Sequence, residues 1–242
     1  MKVRHYLLLG AAALVLAGSF FLPNAVARVT DLRRLDNLVM IDSQRISFAV
    51  APDLTLPERI ALAGNASTET LPLSTGNSMD HETARARVAH EIRRFFQGGA
   101  FEFEFHGLSV SEGLAALIID TFVPARYMIV WEFDIVDNSG NLATAVIDDE
   151  TGVIVRLIYR MGDRYGPLIS VGEAASLDDL FYSAARRLSE MLAEYYGVSV
   201  VLADYQFSGR LSYYRADLSD GGSTVPMYGV VRPASFTVNE RV

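Results

Sequence analysis

The sequence predicts an α+β fold: an N-terminal signal or anchor helix, then two lobes, each a helix packed on a meandering antiparallel sheet. Three observations predict it. A basic cluster and a long uncharged stretch open the chain, two amphipathic helical patterns stand well apart, and each is followed by alternating apolar runs punctuated by turn residues. The order helix, strand, strand, strand thus occurs twice. It divides the chain into a signal peptide or transmembrane anchor (1–27), a juxtamembrane segment and loop (28–80), a first lobe (81–165) and a second lobe (166–242).

The N-terminal segment is read from its charges. Lys2, Arg4 and His5 precede Tyr6 to Leu22, which carries no charge, and the uncharged stretch continues to Ala27. A spanning helix needs about 17–25 apolar residues and a signal h-region about 7–15. The length favours an uncleaved single-pass anchor in the cell membrane with the folded part outside the cytoplasm. The alternative is secretion after cleavage following Ala27, because Ala25-Val26-Ala27 places small residues two apart behind Pro23. Arg28, Arg33 and Arg34 weaken the charge asymmetry across this segment, although Asp31 and Asp36 lie among them.

From Val29 to Val50, Leu32, Leu35, Leu38 and Val39 keep helical spacing, and Ile46, Phe48 and Val50 alternate like a strand. Residues 51–80 carry Pro52, Pro57, Gly64, Pro72 and Gly76 among many Ser, Thr and Asn, which predicts a long loop with one short strand. Asp80 caps a helix from His81 to Gln97 whose apolar face is Ala84, Val88, Ile92 and Phe95, with Gly98-Gly99 as its stop. Leu114 to Val123 is apolar almost throughout and is read as a strand. Ile129, Trp131, Phe133 and Ile135 alternate with Glu132 and Asp134, Asn138-Ser139-Gly140-Asn141 turns the chain, and Leu142–Ile147 and Val153–Tyr159 continue the meander. Between the last two, Asp148-Asp149-Glu150-Thr151-Gly152 reads as a hairpin turn, with Gly152 suited to its left-handed position. Gly162, Gly166 and Pro167 mark the boundary between lobes. Ser176 and Asp179 cap a second helix with a stripe from Leu177 to Tyr195, ended by Gly197, and strands follow at Val198–Phe207, Leu211–Leu218 and Val225–Val231.

The stretch Trp131-Glu132-Phe133-Asp134-Ile135, then Asn138-Ser139-Gly140, then Ile147-Asp148-Asp149-Glu150-Thr151-Gly152-Val153-Ile154 resembles the PepSY-like domains of bacterial envelope proteins. The resemblance covers residues 81–160. It implies a small α+β module outside the membrane that binds or restrains partners such as peptidases rather than catalysing a reaction. The whole layout is similar to uncharacterised membrane-anchored envelope proteins of Gram-positive bacteria. Trp131 and the turn residues Asp148, Asp149, Glu150, Thr151 and Gly152 are therefore the candidate interaction or turn motif.

Composition narrows the chemistry. After residue 27 there are 19 basic against 29 acidic side chains, a net charge of −10, which repels phosphate backbones and anionic headgroups and argues against nucleic acid as a partner. The absence of cysteine removes disulfides, thiolate metal sites, thiol nucleophiles and a lipoprotein anchor. His90-Glu91 begins like a zinc-protease motif, but Arg94 stands where the second histidine belongs. His81 and His90 fall on opposed helix faces, and His106 stands alone. Asp148, Asp149 and Glu150 could offer calcium their oxygens, although hairpin turns favour Asp for local hydrogen bonds and the spacing lacks alternating ligands. No Gly-x-Ser-x-Gly elbow or phosphate-cradling loop occurs. Trp131 with Tyr205, Tyr213, Tyr214 and Tyr228 offers an aromatic platform, against the commoner role of strand aromatics in sheet packing.

The resulting expectation is a non-catalytic binding or regulatory protein without cofactor, held to the membrane by its N-terminal helix and engaging a protein or peptide partner. The rival readings are an envelope hydrolase with dispersed carboxylates and a small-ligand or lipid-binding protein.

Overall fold

A computed structural model describes residues 53–97, 107–162 and 176–240. The anchor, the Val29–Val50 segment, Gly98-Gly99, His106 and the boundary residues Gly166 and Pro167 lie outside the described residues. Among those described, no helix is long and apolar enough to cross a membrane.

In chain order the elements are α1 (Leu56–Gly64), β1 (Thr68–Leu73), α2 (His81–Gln97), β2 (Ser109–Val110), β3 (Leu114–Asp120), β4 (Tyr127–Val136), β5 (Leu142–Asp148), β6 (Ile154–Arg160), α3 (Leu177–Tyr196), β7 (Ser199–Phe207), β8 (Ser212–Ser219), β9 (Thr224–Arg232) and β10 (Ser235–Val238). The fold is α+β. The ten strands among the described residues form one antiparallel sheet in the order β1-β3-β4-β5-β6-β10-β9-β8-β7, with β2 pairing beside β3 on β4. The strands that follow α2 and those that follow α3 are hydrogen-bonded into a single sheet through β6 and β10, with Phe236 opposite Tyr159. Among the described residues five strands follow α2 and four follow α3, where the repeated helix-strand-strand-strand order predicted three after each. The strand read from Leu114 to Val123 is β3; the strands not foreseen are β2, two residues long, and β10, which is made visible only by its non-local partners.

The segment read as a loop also holds a helix. Pro57 punctuates α1 without breaking it, because in the first helical turn its missing N–H costs no hydrogen bond. Thr55 and Glu58 complete a capping box around the same turn.

Strand alternation sorts the sheet into two faces. On one, Trp131 lies opposite Ile147 and Phe133 opposite Ala145, and the row continues through Leu157, Tyr159 and Phe236. The long helices cover this face. Phe96 of α2 meets Tyr159 at a tilt, 5.0 Å between ring centres, Phe95 meets Tyr195 of α3 at 5.1 Å, and Phe181 of α3 meets Phe207 at 5.3 Å. Each ring so buried contributes about 1.5–3 kcal/mol by leaving water, and all belong to one hydrophobic cluster. On the reverse face, Met128, Val130, Val146 and Asp148 are buried at the end where α1 packs. Farther along that face the strands show Glu132, Asp134, Ile158, Tyr213 and Tyr228 to solvent.

Candidate functional site

The β5–β6 hairpin gathers every residue of the candidate motif. Gly152 donates its N–H to Asp148 O at 2.8 Å and sits at φ +72°, where Arg87 Nε lies 2.5 Å from the place a Cβ would take. Glycine suits this left-handed position, and a larger residue would also have to displace the Arg87 side chain. Thr151, exposed at the turn, donates both its N–H (2.8 Å) and its hydroxyl (2.6 Å) to Asp148 Oδ2. Asp148 is also met by Arg59 Nη1 at 3.0 Å, and the same guanidinium donates to Glu150 and, through Nε, to Leu54 O. The two carboxylates push the Arg59 pKa above its ordinary value, although burial opposes them most strongly.

Asp149 binds the chain from the other side. Its carboxylate accepts N–H donors from Asn77 (2.8 Å), Ser78 (2.6 Å) and Met79 (3.2 Å) and from the Trp131 indole (2.8 Å). Asp149 and Trp131 are both only 2% exposed. Four donors around one carboxylate form an anion nest, and charge-assisted bonds of this kind are about twice as strong as neutral ones. The oxygens that could have held calcium are thus aimed at Arg59, Thr151, Trp131 and three backbone amides. The hairpin acts as a double fastener: Asp148 holds α1, Asp149 holds residues 77–79.

A second polar cluster was missed by sequence reasoning. Glu91 has no exposed surface, and its oxygens accept from Tyr195 OH (2.7 Å), Arg94 Nη1 (3.1 Å) and Arg87 Nη2 (3.2 Å), with His90 Nδ1 at 3.2 Å. Arg94 also donates to Tyr195 O and lies over that ring, 4.9 Å from its centre. Tyr195 OH in turn accepts from Ile154 N, so one hydroxyl joins α2, α3 and β6. The signal was available in the spacing: Glu91 stands seven residues after Ala84 and three after Val88, on the apolar stripe of α2. His81 opens α2, where its Nε2 accepts from Gly113 N and its ring meets Trp131 edge-on at 5.9 Å.

The aromatic platform is divided by the sheet. Trp131 is in the core. Tyr205 faces α3, its hydroxyl bonding Asp178 Oδ1 at 2.9 Å, and Tyr214 is buried with its hydroxyl on Thr237 O at 3.0 Å. Tyr213 and Tyr228 point the other way and are 51% and 37% exposed. They flank a groove of about 410 Å³ on the reverse face, shared with Asp204, Gln206, Arg215 and Glu240. Arg215 lies across from Tyr228 and Asp204, its Nε 3.3 Å from Asp217 Oδ1.

No family model, curated protein or solved structure matches the chain. What it does must therefore be argued from these residues.

Proposed function

We propose that this chain is a membrane-anchored, extracytoplasmic binding or regulatory protein built of tandem PepSY-like α+β units, which engages a protein or peptide partner through the reverse face of its sheet. The observation that carries this reading is the pair Tyr213 and Tyr228, exposed beside Arg215 on a rigid strand platform whose other face is packed by α2 and α3. Tyrosine and arginine are the residues that dominate binding energy when a partner desolvates them. Val201 on the neighbouring strand and Val136, Leu142 and Ile158 farther along add exposed apolar surface. The carboxylates of Asp148, Asp149 and Glu91 are held by donors of their own chain, which supports giving these clusters a structural role.

The test is in-place cross-linking of the full-length chain in a bacterial envelope, comparing wild type with Tyr213→Ala/Tyr228→Ala. A stoichiometric partner on the wild type, retained at least about tenfold less by the double variant, is the expected result. Equal recovery of that partner, or recovery of the chain alone from both, refutes the reading.

A further inference from the structure

The β3–β4 connection displays an apolar tip on a tightly bonded base. Phe122 is 81% and Val123 46% exposed, and Thr121 to Ala125 carry no charge. Beneath them, Asp120 Oδ1 accepts from Phe122 N (2.9 Å) and Val123 N (3.1 Å), Arg126 N donates to Val123 O, and Thr121 uses both its N–H and its hydroxyl on Ser67 O. These bonds fix the backbone of the turn, on which Phe122 and Val123 stand exposed. The tip also stands where the described chain begins. Leu54 and Glu58 line the same depression as Asp120 and Arg126, and Arg126 Nη2 donates to Glu58 Oε1 at 2.9 Å.

We propose that Phe122 and Val123 dip into the lipid headgroup and acyl boundary and orient the folded part on the membrane that anchors it; this rests on the anchoring reading above. Charge decides the mode of contact. A body with a net charge of −10 is repelled by anionic headgroups, so an uncharged tip is the means of touching a bilayer that is open to it. Two apolar side chains are too little to hold a protein on a membrane alone. In a chain that also carries an anchor they need only win a local competition, because the tether supplies a high effective concentration. The tip therefore sets orientation and the anchor sets attachment.

The experiment uses the full-length chain with Phe122→Trp in vesicles of zwitterionic phosphatidylcholine, with and without nitroxide-labelled lipid, and reads flotation and tryptophan emission on the same sample. Trp131 is the sole natural tryptophan and is buried, so the wild-type spectrum can be subtracted to leave the emission of the introduced indole. Flotation with a blue-shifted emission from that indole, quenched by labelled lipid, supports the proposal, and adding Val123→Asp should reduce the quench several-fold. Flotation with a solvent-like, unquenched indole at the tip overturns it while the anchor stands. A chain that does not float overturns both.

Discussion

Asp149 shows how much one side chain can organise. Three successive amides from residues 77–79 and the Trp131 indole all donate to it. Asp149→Ala removes the acceptor of four N–H groups, of which the Trp131 indole is the fully buried one, and at about 1–3 kcal/mol for an unsatisfied buried group the loss should be about 1–3 kcal/mol. Urea unfolding followed by Trp131 fluorescence measures it, and a midpoint equal to wild type would show that water replaces the carboxylate at no cost. The sequence made the turn legible because Asp, Thr and Gly each have a local reason to be there. It did not reveal that the acids reach residues 59 and 77–79, since those partners lie about seventy to ninety positions away in the chain and no local rule connects them. Tyr213 and Tyr228 were legible as strand aromatics, but their separation from Tyr205 and Tyr214 follows from which residues each strand turns toward α3.

At the scale of elements, α1 packs Ile60, Leu62 and Ala63 into the core and is tied to the sheet by polar contacts of Arg59. Its guanidinium reaches Asp148 and Glu150, and Asn239 Nδ2 donates to Ile60 O on the same helix at 2.6 Å. Arg59→Met keeps much of the apolar stem but strands the Asp148 carboxylate, which is 1% exposed, and breaking such a buried pair costs about 3–5 kcal/mol. The double variant Arg59→Met/Asp148→Asn should recover part of that loss, because the charge left behind is gone. Guanidinium unfolding of the two single variants and the double variant gives the coupling directly, and additive losses would mean the pair contributes nothing as a pair. α2 and α3 were legible from their stripes and caps, Ser176 accepting from Asp179 N as the sequence suggested. α1 was not, because Pro57 and Gly64 bracket it and both were read as loop residues; the Thr55 and Glu58 capping box was the overlooked sign.

For the whole molecule, the tyrosines tie stability to alkaline pH. Burial raises the pKa of Tyr195, Tyr196 and Tyr214 well above the ordinary value, with the nearby Glu91 carboxylate adding to the effect at Tyr195. An unfolded chain releases these protons near pH 10 while the folded chain keeps them. The stability they confer is full below about pH 10 and declines as pH rises from there toward the folded values. Absorbance at 295 nm and far-ultraviolet circular dichroism followed together should show these phenols ionising only as the secondary structure is lost. Free titration before any unfolding would contradict the buried packing. The α+β class was legible at this scale from the pattern of elements. The single sheet was not, because β10 is four residues long and its place between β6 and β9 depends on pairing across long stretches of chain.

That placement has a kinetic consequence. β10 is the latest described strand in chain order, yet it is the one that bonds β6 to β9. A polypeptide emerging amino end first from a ribosome or a translocation pore can pair β3 to β6, and later β7 to β9, while each set still lacks its inner neighbour. Closure waits for residues 235–238. Until then β6 and β9 are both open edges, so the nascent chain carries two sticky strands that a second molecule could capture, and slow emergence or a truncation before residue 235 should favour entangled pairs over monomers.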